Sequence, residues 1–109
     1  MIARIATFPT LPPDVSAAVH RNVLDRFMPA LRAQDGFVAG YWLADAAGTW
    51  ISFTVWESEA SAQRGGERAN ATPLLPGQDP NKIPSPATVQ TFPVVASCVA
   101  SSGVSEEKP

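Results

Sequence analysis

From Phe37 to Trp56 the chain carries a single charge, Asp45. The stretch reads FVAGYWLA, then Asp45-Ala46-Ala47-Gly48, then TWISFTVW. Two runs rich in β-branched and aromatic residues, joined by a short loop with Asp and Gly, predict a β-hairpin. Side chains alternate along a strand, so Ile51, Phe53 and Val55 share one face of the second run, and Trp50, Ser52, Thr54 and Trp56 share the other. A strand that is apolar on both faces is buried on both. Helices can cover only one face of a small single-layer sheet, so something else must cover the second. Composition agrees. Charged residues make up 17% of the chain, against about 25% in typical globular domains. The hydrophobic share of 45% is ordinary, so the missing charge marks uncharged surface rather than a larger core. Part of that surface is expected to lie under a partner.

The remaining segments take up the pattern. Met1 to Phe8 (MIARIATF) predicts a first strand, ended by the Pro9-Thr10-Leu11-Pro12-Pro13 connection. Asp14 stands where an N-cap belongs. Val15, Val19, Val23, Leu24, Phe27, Met28 and Leu31 then recur at spacings of three and four, with Arg21, Asn22, Asp25, Arg26 and Arg32 on the other side. That is an amphipathic helix of about five turns. Pro29 should kink it or weaken its last turn, and Gly36 suits a left-handed terminating position. Glu57 to Asn70 reads as a second, short helix with Ser58 as N-cap, its second half weakened by Gly65-Gly66. Residues 71–86 hold five prolines (Pro73, Pro76, Pro80, Pro84, Pro86). Loops of such length are often lids or oligomer arms. Thr88 to Ala96 predicts a fourth strand, which Pro93 assigns to a sheet edge. Residues 1–100 thus form one domain, and 101–109 a flexible C-terminal tail.

Several classes of function are excluded. The 109 residues suit a single domain, and a net charge of −2 gives no pull toward nucleic acid or an anionic membrane. One cysteine, Cys98, leaves no intramolecular disulfide or multi-cysteine zinc site, and one histidine, His20, leaves no His-rich metal site in one chain. No apolar run reaches about 18 residues and no signal peptide is visible, so a soluble cytoplasmic protein is expected. Phosphate loops, dinucleotide fingerprints and a G-x-S-x-G elbow are all missing from the sequence.

The order β-α-β-β-α-β predicts a ferredoxin-like α+β fold: a four-stranded antiparallel sheet with both helices on one face, strands one and three central, two and four at the edges. With Gly36-Phe37 opening the second strand and Val55-Trp56-Glu57-Ser58 ending the third, the chain resembles the dimeric α/β-barrel superfamily, and within it the antibiotic biosynthesis monooxygenase-like domains. The resemblance spans Met1 to Asn70 and the last strand. It implies two sheets paired face to face in a homodimer, which would cover the Trp-bearing face. It also implies that Trp56, at the end of the third strand, lines a ligand pocket.

Six residues are candidates for chemistry. His20 falls near the centre of the apolar stripe and should face the sheet, either as a hydrogen-bonded core histidine or as a pocket base. Arg4 interrupts a central strand and must reach a carboxylate or a polar cavity, where it could hold an enolate or phenolate. Trp56, Trp50, Trp42 and Tyr41 form the aromatic set, as packing or as walls of a flat apolar pocket. A site would lie between the first helix and the sheet, with His20 on one wall. Two functions follow: a cofactor-independent monooxygenase acting on a small aromatic or polyketide-like compound, or a non-catalytic homodimer that binds a small ligand or serves as structure. The haem-degrading branch resembles the chain at Trp56, but its iron-ligating histidine lies on the second helix, where this chain has none.

Overall fold

Two aromatic clusters set the architecture. Leu11, Val19 and Val23 pack with Trp50, while Leu31, Ala62 and Ala69 pack with Trp56; Trp42 touches both groups. The computed structural model describes residues 1–100; the expected tail at 101–109 lies outside the described residues.

Strands Ile2–Thr7 (β1), Phe37–Ala44 (β2), Trp50–Trp56 (β3) and Thr88–Pro93 (β4) form one antiparallel sheet in the order β2-β3-β1-β4. β1 and β3 are central, as the ferredoxin-like reading requires. β4 stops at Pro93, three residues short of the expected end. Beyond it only the Val94 N–H still reaches the sheet, at the Met1 carbonyl (2.9 Å), because β1 has run out of residues to pair with.

The first helix is continuous but changes its winding: Pro13–Asn22 (α1), a π-helical turn Val23–Phe27, and Met28–Arg32 (α2). The Met28 N–H donates to the Val23 carbonyl five residues back. This places Pro29 in the first turn of α2, directly after the wider turn. Pro29 therefore rewinds the helix instead of ending it. Asp14 is not the N-cap: Pro12 holds that position, without a side-chain bond, and Asp14 lies in the first turn. There its carboxylate favours the helix N-terminus and pairs with Lys82 (3.5 Å).

The second helix, Glu59–Asn70 (α3), ends at the expected Asn70 and continues unbroken through Gly65-Gly66. Its capping box is closed by Ser58 and Ser61, each accepting from the other's backbone N–H at 3.1 Å. Its buried face is Ser61, Ala62, Gly65 and Ala69, so small residues, not large ones, seat it on the sheet.

The sheet faces are assigned oppositely to the sequence expectation. The Trp50, Thr54 and Trp56 face lies buried beneath the helices. The helices offer narrow aliphatic and alanine ridges, and the broad indoles fill the space between those ridges and the sheet. The face left open pairs Leu43, Tyr41 and Ala39 with Ile51, Phe53 and Val55, then with Thr7, Ile5 and Ala3. It carries no charged residue.

Candidate functional site

Two cavities flank Trp42 and Trp50, which line both. The inner one, about 150 Å³, lies between the first helix, α3 and the sheet. Trp42, Trp50, Trp56 and Phe27 form its aromatic walls, and Arg4, Asn22, Ser52 and Thr54 bring polar groups to it. Ile83, Pro84 and Pro86 close one side, so the proline-rich loop caps this cavity. The outer one is a groove of about 940 Å³ between α1 and the β2–β3 hairpin, lined by His20, Tyr41 and Leu43 among others.

Arg4 reaches the inner cavity because β1 alternates. Arg4 pairs with Thr54 across β3, on the helix side of the sheet. Its Nη1 donates to the Ala62 carbonyl of α3 at 3.3 Å, and a Cβ on Gly66 would stand only 3.0 Å from that nitrogen. Gly66 thus leaves room for the guanidinium. The carboxylate partner considered for Arg4 is not found: among the described residues the one ion pair is Lys82 with Asp14. No Asp, Glu or His lines the inner cavity, so the Arg4 charge faces it without a protein counter-ion.

Trp56 is almost fully buried, and its indole N–H donates to Thr54 Oγ1 at 3.0 Å. Its ring meets Phe37 edge-on, with centroids 5.2 Å apart. Trp50 donates to Ser16 Oγ at 2.8 Å, which pins β3 to α1. Trp42 stands edge-on to Phe27. Tyr41 points to the opposite face, 61% exposed, with its ring against Phe53. The three tryptophans are therefore brought together, and Tyr41 is not among them.

His20 does not face the sheet interior. It is exposed, at the wall of the outer groove, with its ring 6.1 Å from that of Trp50. The helix is rotated from the expected orientation. Its buried positions are Val19, Asn22, Val23 and Arg26, an i, i+3, i+4, i+7 stripe. At about 100° per residue, His20 and Leu24 fall on its flank. Asn22 and Arg26, expected in solvent, are buried. Asn22 Oδ1 accepts from Gln78 Nε2 at 3.2 Å, tying the loop to α1. Arg26 Nη2 donates to the Asn70 carbonyl at 3.3 Å, where a cation suits the C-terminus of α3, and its buried Nε has no partner.

Sequence reasoning therefore missed Asn22, Ser52 and Thr54, whereas the loop it read as a lid or oligomer arm contributes Ile83, Pro84 and Pro86 to the lining. The 19-22-23-26 spacing was visible, but two of its four positions are polar, so a purely apolar count passes over it. Asp45, at the hairpin tip, is the titratable group with a resolved perturbation. The backbone N–H of Thr49, with help from Ala47 and Gly48, holds its carboxyl below the usual carboxylate range despite some desolvation. Among the described residues no three His, Cys, Asp or Glu gather as a metal site, and no helix is long and apolar enough to cross a membrane.

Comparison with known proteins follows the same lines. The structure is similar to the monooxygenase ActVA-Orf6 of Streptomyces coelicolor in complex with the ligand Nanaomycin D (TM-score 0.60, 17% identity, 92% of each chain covered). It is similar to SnoaB, a cofactor-independent oxygenase from Streptomyces nogalater (TM-score 0.53, 17% identity, 88% of this chain and 91% of that one). It is also similar to the haem-degrader MhuD of Mycobacterium tuberculosis with two haems bound (TM-score 0.63, 18% identity, 91% of this chain and all of that one). At these identities the likeness is one of fold. No curated protein is close enough in sequence to be matched. The family model for antibiotic biosynthesis monooxygenase matches residues 1–64, the part that contributes β1, the first helix and the β2–β3 hairpin with its three tryptophans. On that match the chain belongs to the antibiotic biosynthesis monooxygenase family.

Proposed function

We propose that the protein is a cofactor-independent monooxygenase acting on a small aromatic or polyketide-like compound, and that it works as a homodimer. The observation that carries the reading is the inner cavity: three tryptophan walls and one guanidinium without a counter-ion. Such a site suits a flat, electron-rich molecule bearing one negative charge. Family membership and the likeness to ActVA-Orf6 and SnoaB support the reaction class.

The lining contains no carboxylate or imidazole to act as base, so the substrate enters as its own phenolate or enolate, having lost its proton to water. Arg4 stabilises that anion, and the indole walls with the Ile83–Pro86 cap keep water from the reacting carbon. The anion gives an electron to dioxygen, and the radical pair recombines at carbon. A ring methylene becomes a carbonyl: one oxygen atom stays in the product, and the other leaves as water with the two methylene hydrogens. At about 150 Å³ the cavity is smaller than the roughly 300–1,000 Å³ usual for ligand pockets. The loop cap therefore moves outward to admit a polycyclic substrate.

A haem-degrading role does not fit the donor set. The chain's one histidine is on the outer groove, and the inner lining contains no His, Cys, Met or Tyr to bind iron. The dimer reading rests on the open sheet face, where Tyr41, Leu43 and Phe92 are each about half exposed or more. Uncharged apolar surface of this kind marks an interface.

Oxygen uptake with anthrone-like and polyhydroxylated aromatic compounds tests the enzyme. Consumption that an Arg4→Leu change lowers about 10²–10³-fold is the expected result. Tight binding of the same compounds without oxygen uptake would instead identify a ligand-binding dimer.

A further inference from the structure

The proline-rich loop is fastened to the first helix by the Lys82–Asp14 ion pair and by the Gln78–Asn22 hydrogen bond. The direction of the second is fixed by the backbone. Gln78 ends a tight turn: its N–H donates to the Leu75 carbonyl at 3.0 Å, and Pro76 with Gly77 (φ 86°) between them make the turn type II. The Leu75 N–H donates in return to the Gln78 side chain at 2.7 Å. An N–H needs an acceptor, so the atom it meets is Oε1. Gln78 is left with Nε2 to offer, and Asn22 can meet it only with Oδ1, at 3.2 Å. One backbone N–H thus orients two carboxamides in series.

Asn22 is 8% exposed and forms part of the wall between the inner cavity and a hollow of about 170 Å³ beneath the loop. Gln78 lines the hollow but not the cavity, so Oδ1 is the arm of the amide on the loop side. Nδ2, the diverging arm of the same planar group, has no partner among the described residues, yet it is not sealed off. Arg26 Nε is the one fully buried side-chain nitrogen or oxygen left unpartnered there. Two N–H groups held at a cavity wall and out of bulk water are costly unless a ligand takes them up.

We propose that closure of the 71–86 loop sets Asn22 as a second hydrogen-bond donor to the substrate, with Gln78 as its positioning residue. The inference rests on the monooxygenase reading and narrows its substrate class. Arg4 comes from the sheet wall and Asn22 from the helix wall, so the pair suits an anion whose charge is shared between two oxygens: a phenolate or enolate conjugated with a carbonyl. Gln78 leaves with the loop when the cavity opens, and the Asn22 amide is then free to turn. The donor is in place only once the loop has shut over the substrate. A carboxamide does not titrate, so the rate still follows the ionisation of the substrate.

Gln78→Glu separates orienting Asn22 from fastening the loop. One carboxylate oxygen still accepts from the Leu75 N–H, but the other can only accept, so Asn22 turns to give it Nδ2 and presents Oδ1 to the cavity while the loop stays tied. The probe is 2-hydroxy-1,4-naphthoquinone, whose anion shares its charge between two oxygens; quenching of tryptophan fluorescence reads its binding without turnover. Gln78→Glu and Asn22→Ala should each weaken binding about tenfold or more, as for a lost hydrogen bond to a charged group. In the Asn22→Ala background Gln78→Glu should change little, and any direct repulsion by the new carboxylate is measured there. In the wild type, the Asn22 side-chain NH₂ protons should shift in the NMR spectrum when the anion binds. Equal losses from Gln78→Glu in both backgrounds, or NH₂ protons that do not respond to the bound anion, overturn the inference and leave the monooxygenase reading to the oxygen-uptake test. Binding coupled through Asn22 in a protein that consumes no oxygen upholds the donor and overturns the reaction. A wild type that neither binds the anion nor consumes oxygen overturns both.

Discussion

The indole of Trp56 occupies the place that a side chain on Gly65 would need: a Cβ built there falls onto the six-membered ring. This contact seats α3 on β3 and explains a glycine in the middle of a twelve-residue helix. Glycine there costs about 1 kcal/mol of helix propensity relative to alanine. The close approach of helix and indole offsets that cost.

Gly65→Ala should therefore destabilise the fold by about 1–3 kcal/mol, the usual range for overpacking a filled core, despite alanine's better propensity. Gly66→Ala is the control. Its Cβ meets only the end of the Arg4 side chain, which can move, so unfolding in urea should show little loss or a gain. Equal effects at the two positions would mean that the Trp56 contact does not govern α3.

Arg4→Leu should leave the dimer folded and lower kcat/KM for an anionic substrate about 10²–10³-fold, as expected when one donor to a developing oxyanion is removed. Its rate against pH should follow the ionisation of the free substrate rather than that of the protein, because no titratable base lines the cavity. Two substrates of different acidity, compared on the same protein, should give displaced profiles.

His20→Ala should retain turnover, since the imidazole is exposed and lies on the outer groove. A loss of rate in a folded dimer would assign the base to the outer groove and move the reacting site there.

Asp45→Ala should lower the melting temperature near neutral pH. The carboxylate accepts from the backbone N–H groups of Ala47 and Thr49, each at 3.0 Å, and so holds the β2–β3 turn. Its folded pKa is depressed below the ordinary 3.8. That stabilisation is therefore present in full above the ordinary value and lost as the pH falls through the lower folded one. Melting temperatures of the wild type and the variant should converge in strong acid. Asp45→Asn, which keeps an acceptor oxygen, should lose less.

Phe53→Arg, at the centre of the open sheet face, should yield monomers in sedimentation without unfolding the chain. A charge there faces solvent in the monomer and is buried without a partner in the dimer. An unchanged dimer would place the interface on another face.

What the sequence determined by itself were the order of elements, the central and edge strands, the Ser58 cap and the glycine turn at Gly36, whose φ is 86°. These are local: period, punctuation and caps act within a few residues, so the letters suffice. That Trp50 and Trp56 share a face was legible for the same reason. Which way that face points was not, because alternation is blind to whether helices or solvent lie above it. Only packing decided it, and the tertiary structure put the indoles under the helices. The rotation of the first helix followed the same logic. His20 and Asn22 lie on adjoining parts of one helix, and burial went to Asn22 because Gln78, from a loop 56 residues away, supplies its hydrogen bond. The Arg4 site joins β1, the first helix, α3 and residues 83–86. Its chemistry depends on what those segments leave out, a counter-ion and a base, and an absence at one place in space has no signature along a chain.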